Sequence, residues 1–308
     1  MSLRLLFAGT PGFAVPALRA LIESGRPPLA VLTQPDRAAG RGQRVAQSPV
    51  KQLALAHQLP VLQPVTLRDP SAVERIAEYA PDLLVTAAYG LILPQAVLDL
   101  PRLGCWNLHA SLLPRWRGAS PINQAILHGD EQTGISLMQM EAGLDTGPVL
   151  TRAVTRIEDS ETAGQLHDRL APMAAERLMH TLAELESGRL PRPQPQDDAL
   201  ATHAPLIAKS DAQLDWRRPA PELARAVRAY DPWPVAHGEI EGEMLRLFRA
   251  AVGSHYELPP GTLVRGHGRR DAVIVACGQG SLEIGELQAP GRKRLHAAEW
   301  FNAHPDWR

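Results

Sequence analysis

The sequence predicts an α/β unit built on a parallel sheet, followed by a small β-barrel. Three observations carry this expectation. Through the first part of the chain, short apolar runs alternate with segments of helical period, the rhythm of strand, turn and helix in a parallel sheet. A proline-rich stretch, PRPQPQDDALATHAP, then interrupts all periodicity. Beyond it the apolar runs become short and are separated by turn-forming clusters. At 308 residues the chain exceeds one ordinary core and suits two. The expected division is residues 1–190, a connector over 191–208, and a second domain over 209–308.

The elements follow in order. Leu3 to Ala8 is an apolar run, Phe13 to Ser24 has helical spacing, and Ala30 to Thr33 is apolar again. Further strands are expected at Leu83 to Ala87 and Cys105 to His109, with helices at Ala72 to Tyr79 and Pro121 to His128. Two more runs, Ile135 to Met140 and Val149 to Val154, flank the turn EAGLDTGP, and a long helical pattern runs from Ala163 to Ser187 before Gly188. In the second domain one helix, Pro221 to Ala229, precedes strands at Ala236 to Ile240, Met244 to Ala250, Ala272 to Ala276 and Leu282 to Leu287. Pro259-Pro260-Gly261 and Gly278-Gln279-Gly280 supply turns between them. Oligonucleotide-binding barrels are one architecture of this kind, although a barrel alone establishes no function.

Composition narrows the classes. No stretch reaches the roughly 20 consecutive apolar residues a bilayer span needs, and the opening MSLRLLFAGTPGF reads as strand and turn, so a cytoplasmic protein without a membrane partner is expected. Cys105 and Cys277 lie far apart without metal-ligand spacing, which predicts reduced, buried thiols. A net charge of -1 supplies no global field for a polyanion, so a nucleic-acid partner would need local patches.

In parallel α/β sheets, ligands bind beyond the carboxyl ends of strands. The densest cluster of chemistry-bearing residues, WNLHASLLPRWRG, falls there. Strand alternation puts Asn107 and His109 on one face. An amide NH2 can donate to a developing oxyanion, and an imidazole beside it can take a proton from an attacking amine or stabilise the same oxygen. Such a pair is equipment for acyl transfer without a covalent nucleophile, although an isolated N-x-H also occurs simply as loop-shaping strand-end residues. Asp145, in the glycine-bounded GLDTG, can orient the histidine or relay protons, or can merely bond its own turn. Ser111 lacks the G-x-S-x-G surroundings of a nucleophile elbow. Leu112, Leu113 and Pro114 form an apolar, stiff loop suited to a flat ring or to a packed corner. GTPG after the first strand lacks the dinucleotide-binding spacing.

The connection QPDRAAGRGQRVAQSPVK is long and basic, with Arg37, Arg41, Arg44 and Lys51 against Asp36. Gly40 and Gly42 make it pliable, so it can contact phosphates and order on binding, or remain a solvated loop. Arg115 and Arg117, interleaved with Trp116, can guide a polyanion or pack at the surface.

Taken together, FAGTP, TQPDRAAGRG, AAYGLILP, NLHASLLPRWRGASPI, MEAGLDTGP and DPWP at Asp231 to Pro234 resemble the methionyl-tRNA formyltransferases, within the wider group of 10-formyltetrahydrofolate-dependent formyltransferases. The resemblance implies a Rossmann-like formyltransferase domain followed by an OB-like, tRNA-binding domain. It implies formyl transfer from 10-formyltetrahydrofolate to initiator methionyl-tRNA by direct attack of the amine, with no metal and no covalent enzyme intermediate, in a monomer. Asn107 and His109 would surround the formyl carbon, Asp145 would assist proton transfer, and Ser111, Leu112, Leu113 and Pro114 would contact the folate. Arg41, with Arg37 and Arg44 nearby, would probe the acceptor end of the tRNA. Ala110 stands where many relatives have glycine. Rival readings are a hydrolase releasing formate from the same folate, an idle tRNA- or folate-binding module, and a sugar-nucleotide formyltransferase, none of which needs both the triad and the basic loop.

Overall fold

The computed structural model describes residues 3–39, 44–266 and 268–307. By packing, the chain divides into two compact units. The first comprises the residues up to Gly118, Thr133–Thr155 and His167–His203; the second comprises Ala119–Gln132, Arg156–Leu166 and the residues from Ala204 onward. The segment 191–203, read from sequence as connector, therefore groups with the first unit by contact.

The elements run β1 (Leu5–Gly9), α1 (Val15–Glu23), β2 (Ala30–Leu32), β3 (Arg37–Ala39), β4 (Arg44–Ala46), α2 (Pro49–Ala56), β5 (Val61–Leu62), α3 (Pro70–Ala77), β6 (Leu83–Ala87), α4 (Gln95–Leu98), β7 (Cys105–His109), β8 (Arg117–Gly118), α5 (Pro121–Leu127), β9 (Gln132–Gln139), β10 (Val149–Arg156) and α6 (Ala163–Glu186). Helix starts follow capping chemistry: Ser48 Oγ accepts from Lys51 N at 3.1 Å before α2, and Asp69 Oδ1 accepts from Ser71 N at 3.0 Å before α3. In both helices proline occupies the first turn, where a missing N–H costs nothing.

The seven-stranded sheet has the order β10-β9-β7-β6-β1-β2-β5. The strands β1, β2, β5, β6 and β7 pair in parallel, and β1, β2 and β6 are buried along their whole length, as strands covered on both faces must be. The sheet is thus parallel-dominated, as the sequence predicts, and β9 adds an antiparallel pairing with β7 toward one edge. An apolar run specifies burial and not strand direction, which only the pairing decides. The expected strands at Leu83 to Ala87 and Cys105 to His109 match β6 and β7, and the basic connection forms the antiparallel ribbon β3–β4.

The chain continues with β11 (His203–Ala204), and the last segment of the second unit, from Ala204 onward, holds α7 (Ala220–Ala229), β12 (His237–Ile240), β13 (Glu243–Gly253), β14 (Val273–Ala276), β15 (Ser281–Gln288), β16 (Leu295–His296) and α8 (Ala297–Ala303). Its five-stranded antiparallel sheet runs β12-β13-β15-β14, with β16 also on β15. Leu223 and Val227 of α7, Leu245 and Leu247 of β13, and Trp300 and Phe301 of α8 close one core over this sheet. The short helix α8 had no clear sequence signal, because five of its seven residues are alanine or polar and the only large side chains on its buried face are Trp300 and Phe301.

Both cysteines are buried thiols; burial pushes Cys105 up to about 12 and Cys277 up to about 11. Among the described residues no helix is long and apolar enough to cross a membrane.

Gly134 shows how tightly β9 and β10 fit: a Cβ there would lie 1.9 Å from the Ala153 carbonyl oxygen and 2.8 Å from Leu112 Cδ2. Gly134→Ala is expected to destabilise the protein by about 1–3 kcal/mol, as overpacking does. Thermal unfolding checks this, and an unchanged midpoint would contradict the packing.

Candidate active site

The sheet register assembles the site. Parallel pairing of β6 with β7 sets Thr86 beside Asn107, and antiparallel pairing of β7 with β9 sets Ser136 beside His109. Asn107 and His109 share a face by strand alternation. Asp145 reaches them from the turn between β9 and β10, with its own backbone in the left-handed region at φ +53°.

The Asp145 carboxylate is the point of convergence. Its Oδ1 accepts from Asn107 Nδ2 at 3.2 Å, and its Oδ2 accepts from the Gly118 backbone N–H at 2.9 Å. His109 Nδ1 stands 3.5 Å from Oδ2, in ion-pair range but longer than a good hydrogen bond. The structure therefore brings Asn107, His109 and Asp145 together across 38 residues of sequence.

The orientation of each polar group follows from its partners. A carboxylate only accepts, so the nitrogen of the Asn107 amide must face Asp145; its oxygen then lies 2.9 Å from the Thr86 hydroxyl, which donates to it. One Nδ2 hydrogen is engaged by Asp145, and the second has no partner among the described residues. His109 Nε2 lies 2.8 Å from the Trp116 carbonyl oxygen, so this nitrogen carries hydrogen. A neutral ring then presents its lone pair at Nδ1, the nitrogen facing Asp145. His109 itself is buried, at 5% exposure.

The loop after β7 supplies backbone atoms to this constellation. Trp116 adopts φ +63° and Gly118 φ +118°, which turns the carbonyl of one and the N–H of the other toward the site. Leu113 N donates to Ser136 Oγ at 3.0 Å, that hydroxyl donates to the Ser111 carbonyl at 2.7 Å, and Arg152 donates to the Leu113 carbonyl at 2.9 and 3.2 Å. Ser111 is fully buried and its hydroxyl donates to the Arg115 carbonyl. Leu113 packs with Met138 and Val149. Of the four residues expected on the folate, Leu112 and Pro114 thus retain half-buried side-chain surface, whereas Ser111 and Leu113 hold the loop itself.

Sequence reasoning passed over Thr86, Ser136, Arg152 and Gln196. Thr86 had one available signal, a hydroxyl in the otherwise apolar run LLVTA. Gln196 had none: its Nε2 donates to the carbonyls of Asp145 and Gly147 at 2.8 and 2.7 Å from a segment with no periodicity.

The basic ribbon is anchored at its base. Lys51 Nζ donates to Asp36 Oδ2 at 2.6 Å and to Gln63 Oε1 at 2.8 Å, and Gln63 Nε2 donates to Asp36 Oδ1 at 2.8 Å. Lys51 is therefore neutralised locally. Arg37 is exposed on β3; Arg41 lies outside the described residues, and so does the side chain of Arg44, whose backbone belongs to β4. Arg117 is 5% exposed and donates from Nε to Gln196 Oε1 at 3.0 Å and from Nη2 to Asp198 at 2.8 Å, so it braces the interior of the first unit instead of facing a polyanion. Arg115 stacks over the Trp116 ring at 4.4 Å.

Two family models match this chain: one described as formyl transferase over residues 3–182, and one described as formyl transferase, C-terminal domain, over residues 206–305. The methionyl-tRNA formyltransferase of Stutzerimonas stutzeri is 52% identical over 301 residues, covering 98% of this chain and 95% of its own. That of Methylococcus capsulatus is 52% identical over 303 residues, covering 98% and 97%. Among solved structures, an N-formyltransferase from Helicobacter canadensis, in complex with folinic acid and dTDP-3-aminofucose, shares the fold at TM-score 0.68 and 14% identity, over 92% of this chain and 98% of that one. HypX from Aquifex aeolicus, in complex with tetrahydrofolic acid, shares it at TM-score 0.65 and 18% identity over 98% of this chain, which spans 47% of HypX.

The anchor of the ribbon gives a pH prediction. Hydrogen bonds from Lys51 and Gln63 hold the Asp36 carboxyl below its ordinary value of 3.8. A depressed carboxylate pKa contributes stability that is complete above the unfolded value and is lost as pH falls through the folded one. An NMR titration of Asp36 should find its midpoint below 3.8, and Lys51→Met should move that midpoint upward. A midpoint at or above 3.8 in the unmodified protein would exclude the anchor.

Proposed function

The chain belongs to the methionyl-tRNA formyltransferases of the formyl transferase family, and from that premise we propose that Asn107, His109 and Asp145 carry its formyl transfer. It is an enzyme that formylates the amino group of methionyl-tRNA, taking the formyl group from a folate donor. The donor we assign is 10-formyltetrahydrofolate and the acceptor initiator methionyl-tRNA, with residues 1–190 performing the transfer and residues 209–308 helping to hold the tRNA. The observation that supports the site most directly is the convergence of Asn107, His109 and Asp145 at the carboxyl end of β7.

The chemistry follows from the free valences of these groups. The neutral methionyl amine attacks the formyl carbon, forming a C–N bond while the carbonyl oxygen takes up negative charge. The second Nδ2 hydrogen of Asn107 donates to that oxygen, and a donor fixed in advance stabilises charge that develops only in the transition state. The amine must then lose a proton. With Nε2–H engaged on Trp116, His109 takes the proton at Nδ1, by way of Asp145 or a water, and becomes an imidazolium paired with the carboxylate. Collapse of the tetrahedral intermediate restores C=O, breaks the bond to the folate nitrogen, and returns the proton to that nitrogen. The geometry thus favours His109 as base over His109 as oxyanion donor. Leu112 and Pro114 offer the apolar surface for the folate, while Ser111 and Leu113 act by holding the loop.

Acceptor selection is assigned to the basic ribbon. Arg37, Arg41 and Arg44 carry its usable charge once Lys51 is bound to Asp36, and a cluster of cations suits a phosphate backbone.

Incubation with 10-formyltetrahydrofolate and methionyl-tRNA should yield formylmethionyl-tRNA, and Asn107→Ala should lower kcat by about 100- to 1000-fold, the usual loss for one oxyanion donor. Formate release at the same rate without tRNA would overturn the reading in favour of a hydrolase. Arg41→Ala should raise KM for tRNA and leave folate binding unchanged, as measured by formylation kinetics beside fluorescence titration of the folate. Equal loss of both would reduce the ribbon to a structural role.

A further inference from the structure

Asp145 depends on a segment that contributes nothing to the chemistry and lies some 50 residues further on. We infer that Gln196 is a positioning residue for Asp145, itself held in place by the buried Arg117; this rests on the reading of Asp145 as part of the reaction centre.

The carboxamide of Gln196 is used completely. Both Nε2 hydrogens are directed at carbonyls of the catalytic turn, Asp145 O at 2.8 Å and Gly147 O at 2.7 Å, and Oε1 accepts from Arg117 Nε at 3.0 Å. Two carbonyl acceptors on one side and a guanidinium donor on the other leave a single amide orientation possible. Arg117 is 5% exposed, and its second contact is Asp198, so the guanidinium is fixed between two partners from the same segment. The neighbouring residue, Gly118, supplies the N–H that binds Asp145 Oδ2.

The turn needs such a brace. Asp145 has φ +53°, a left-handed conformation uncommon among non-glycine residues, though one that Asp adopts more readily than most. Gly147 is equally confined, since a Cβ there would lie 2.0 Å from the Gln139 carbonyl oxygen. Gln194 and Val149 exchange backbone hydrogen bonds at 2.8 Å in both directions, which lays the segment along the outgoing side of the turn. From there Gln196 spans the carbonyls of 145 and 147, and Asp198 closes on Arg117. Without Gln196 the turn keeps its side-chain contacts and loses the backbone bonds that set the direction of the carboxylate. A displacement of about 1 Å at a catalytic group costs as much as 100-fold in rate.

The test uses the full-length protein and steady-state formylation of methionyl-tRNA. Gln196→Met keeps the length of the side chain and removes its hydrogen bonds. It is expected to lower kcat by about 10- to 100-fold with KM for the formyl-folate within about threefold. On an Asp145→Asn background the same substitution should cost less than about threefold more, because a residue acting through Asp145 has nothing left to position. Gln196→Glu retains the contact to Arg117 and sets oxygen against both carbonyls; it should lose at least as much kcat, and it serves in place of Gln196→Met should that variant not fold. A wild-type kcat in either variant, or an equal fold-loss with and without Asp145→Asn, overturns the inference and leaves the function standing. Full activity of Asp145→Asn by itself would overturn the reading of the site as well.

Discussion

A carboxylate withdrawn from water must find hydrogen-bond donors, and the proposed active site is organised around how Asp145 meets that demand. An unpaired carboxylate in a half-buried turn costs several kcal/mol, so its oxygens recruit whatever donors the fold can bring. Here they are a side-chain amide from β7 and a backbone N–H from β8, while the Nδ1 of His109 stands 3.5 Å away and pairs with the carboxylate only once the ring is protonated. Each of these donors is thereby oriented in return. Asn107 acquires a defined amide orientation, and the loop that carries Gly118 acquires a fixed end. On the proposed reading, the requirement that stabilises the turn is the same one that prepares the chemistry.

The loop between β7 and β8 is tied to the same carboxylate through the Gly118 N–H. Its sequence, with Leu112, Leu113, Pro114 and alternating arginine and tryptophan, suggests a binding surface made of side chains. Most of those side chains serve the loop: Ser111, Leu113 and Trp116 are buried, and Arg117 is an internal brace. What the loop presents to the reaction centre is main chain, the Trp116 carbonyl to His109 and the Gly118 N–H to Asp145. Ser136 and Arg152, on the adjoining strands β9 and β10, hold the carbonyl and N–H groups at its start. Rigid strands thus define where a nominally irregular segment places its polar atoms, which is the condition for pre-organised electrostatic catalysis.

The basic ribbon is a separate case, in which part of the charge is paired off close to the sheet. Asp36, Lys51 and Gln63 form a closed set at its base, which removes one anion and one cation from the exposed balance. On the proposed reading, Arg37, Arg41 and Arg44 are then the groups left to meet phosphates. The near-neutral total charge is compatible with a polyanionic partner for this reason: the field that matters is local.

How much was legible in the sequence follows from what periodicity and composition encode. Alternation along Cys105 to His109 was enough to put Asn107 and His109 on one face, and the apolar runs located β6 and β7 to the residue, because side-chain burial is written directly into hydrophobic pattern. The motifs NLHASLLPRWRG and GLDTG together pointed to formyl transfer, and the basic loop pointed to the acceptor. The antiparallel pairing of β9 was not legible, since an apolar run carries no direction. Nor were the Thr86 and Ser136 neighbours, which exist only through strand register. Backbone partners such as the Trp116 carbonyl have no residue identity to read. Gln196 sits in a stretch that looks like linker, and its two bonds to the Asp145 turn arise from a fold-level approach of segments about 50 residues apart. The sequence by itself determined which groups could do the chemistry. Tertiary structure alone decided which of their hydrogens and lone pairs remain free to do it, because that depends on partners brought from elsewhere in the chain.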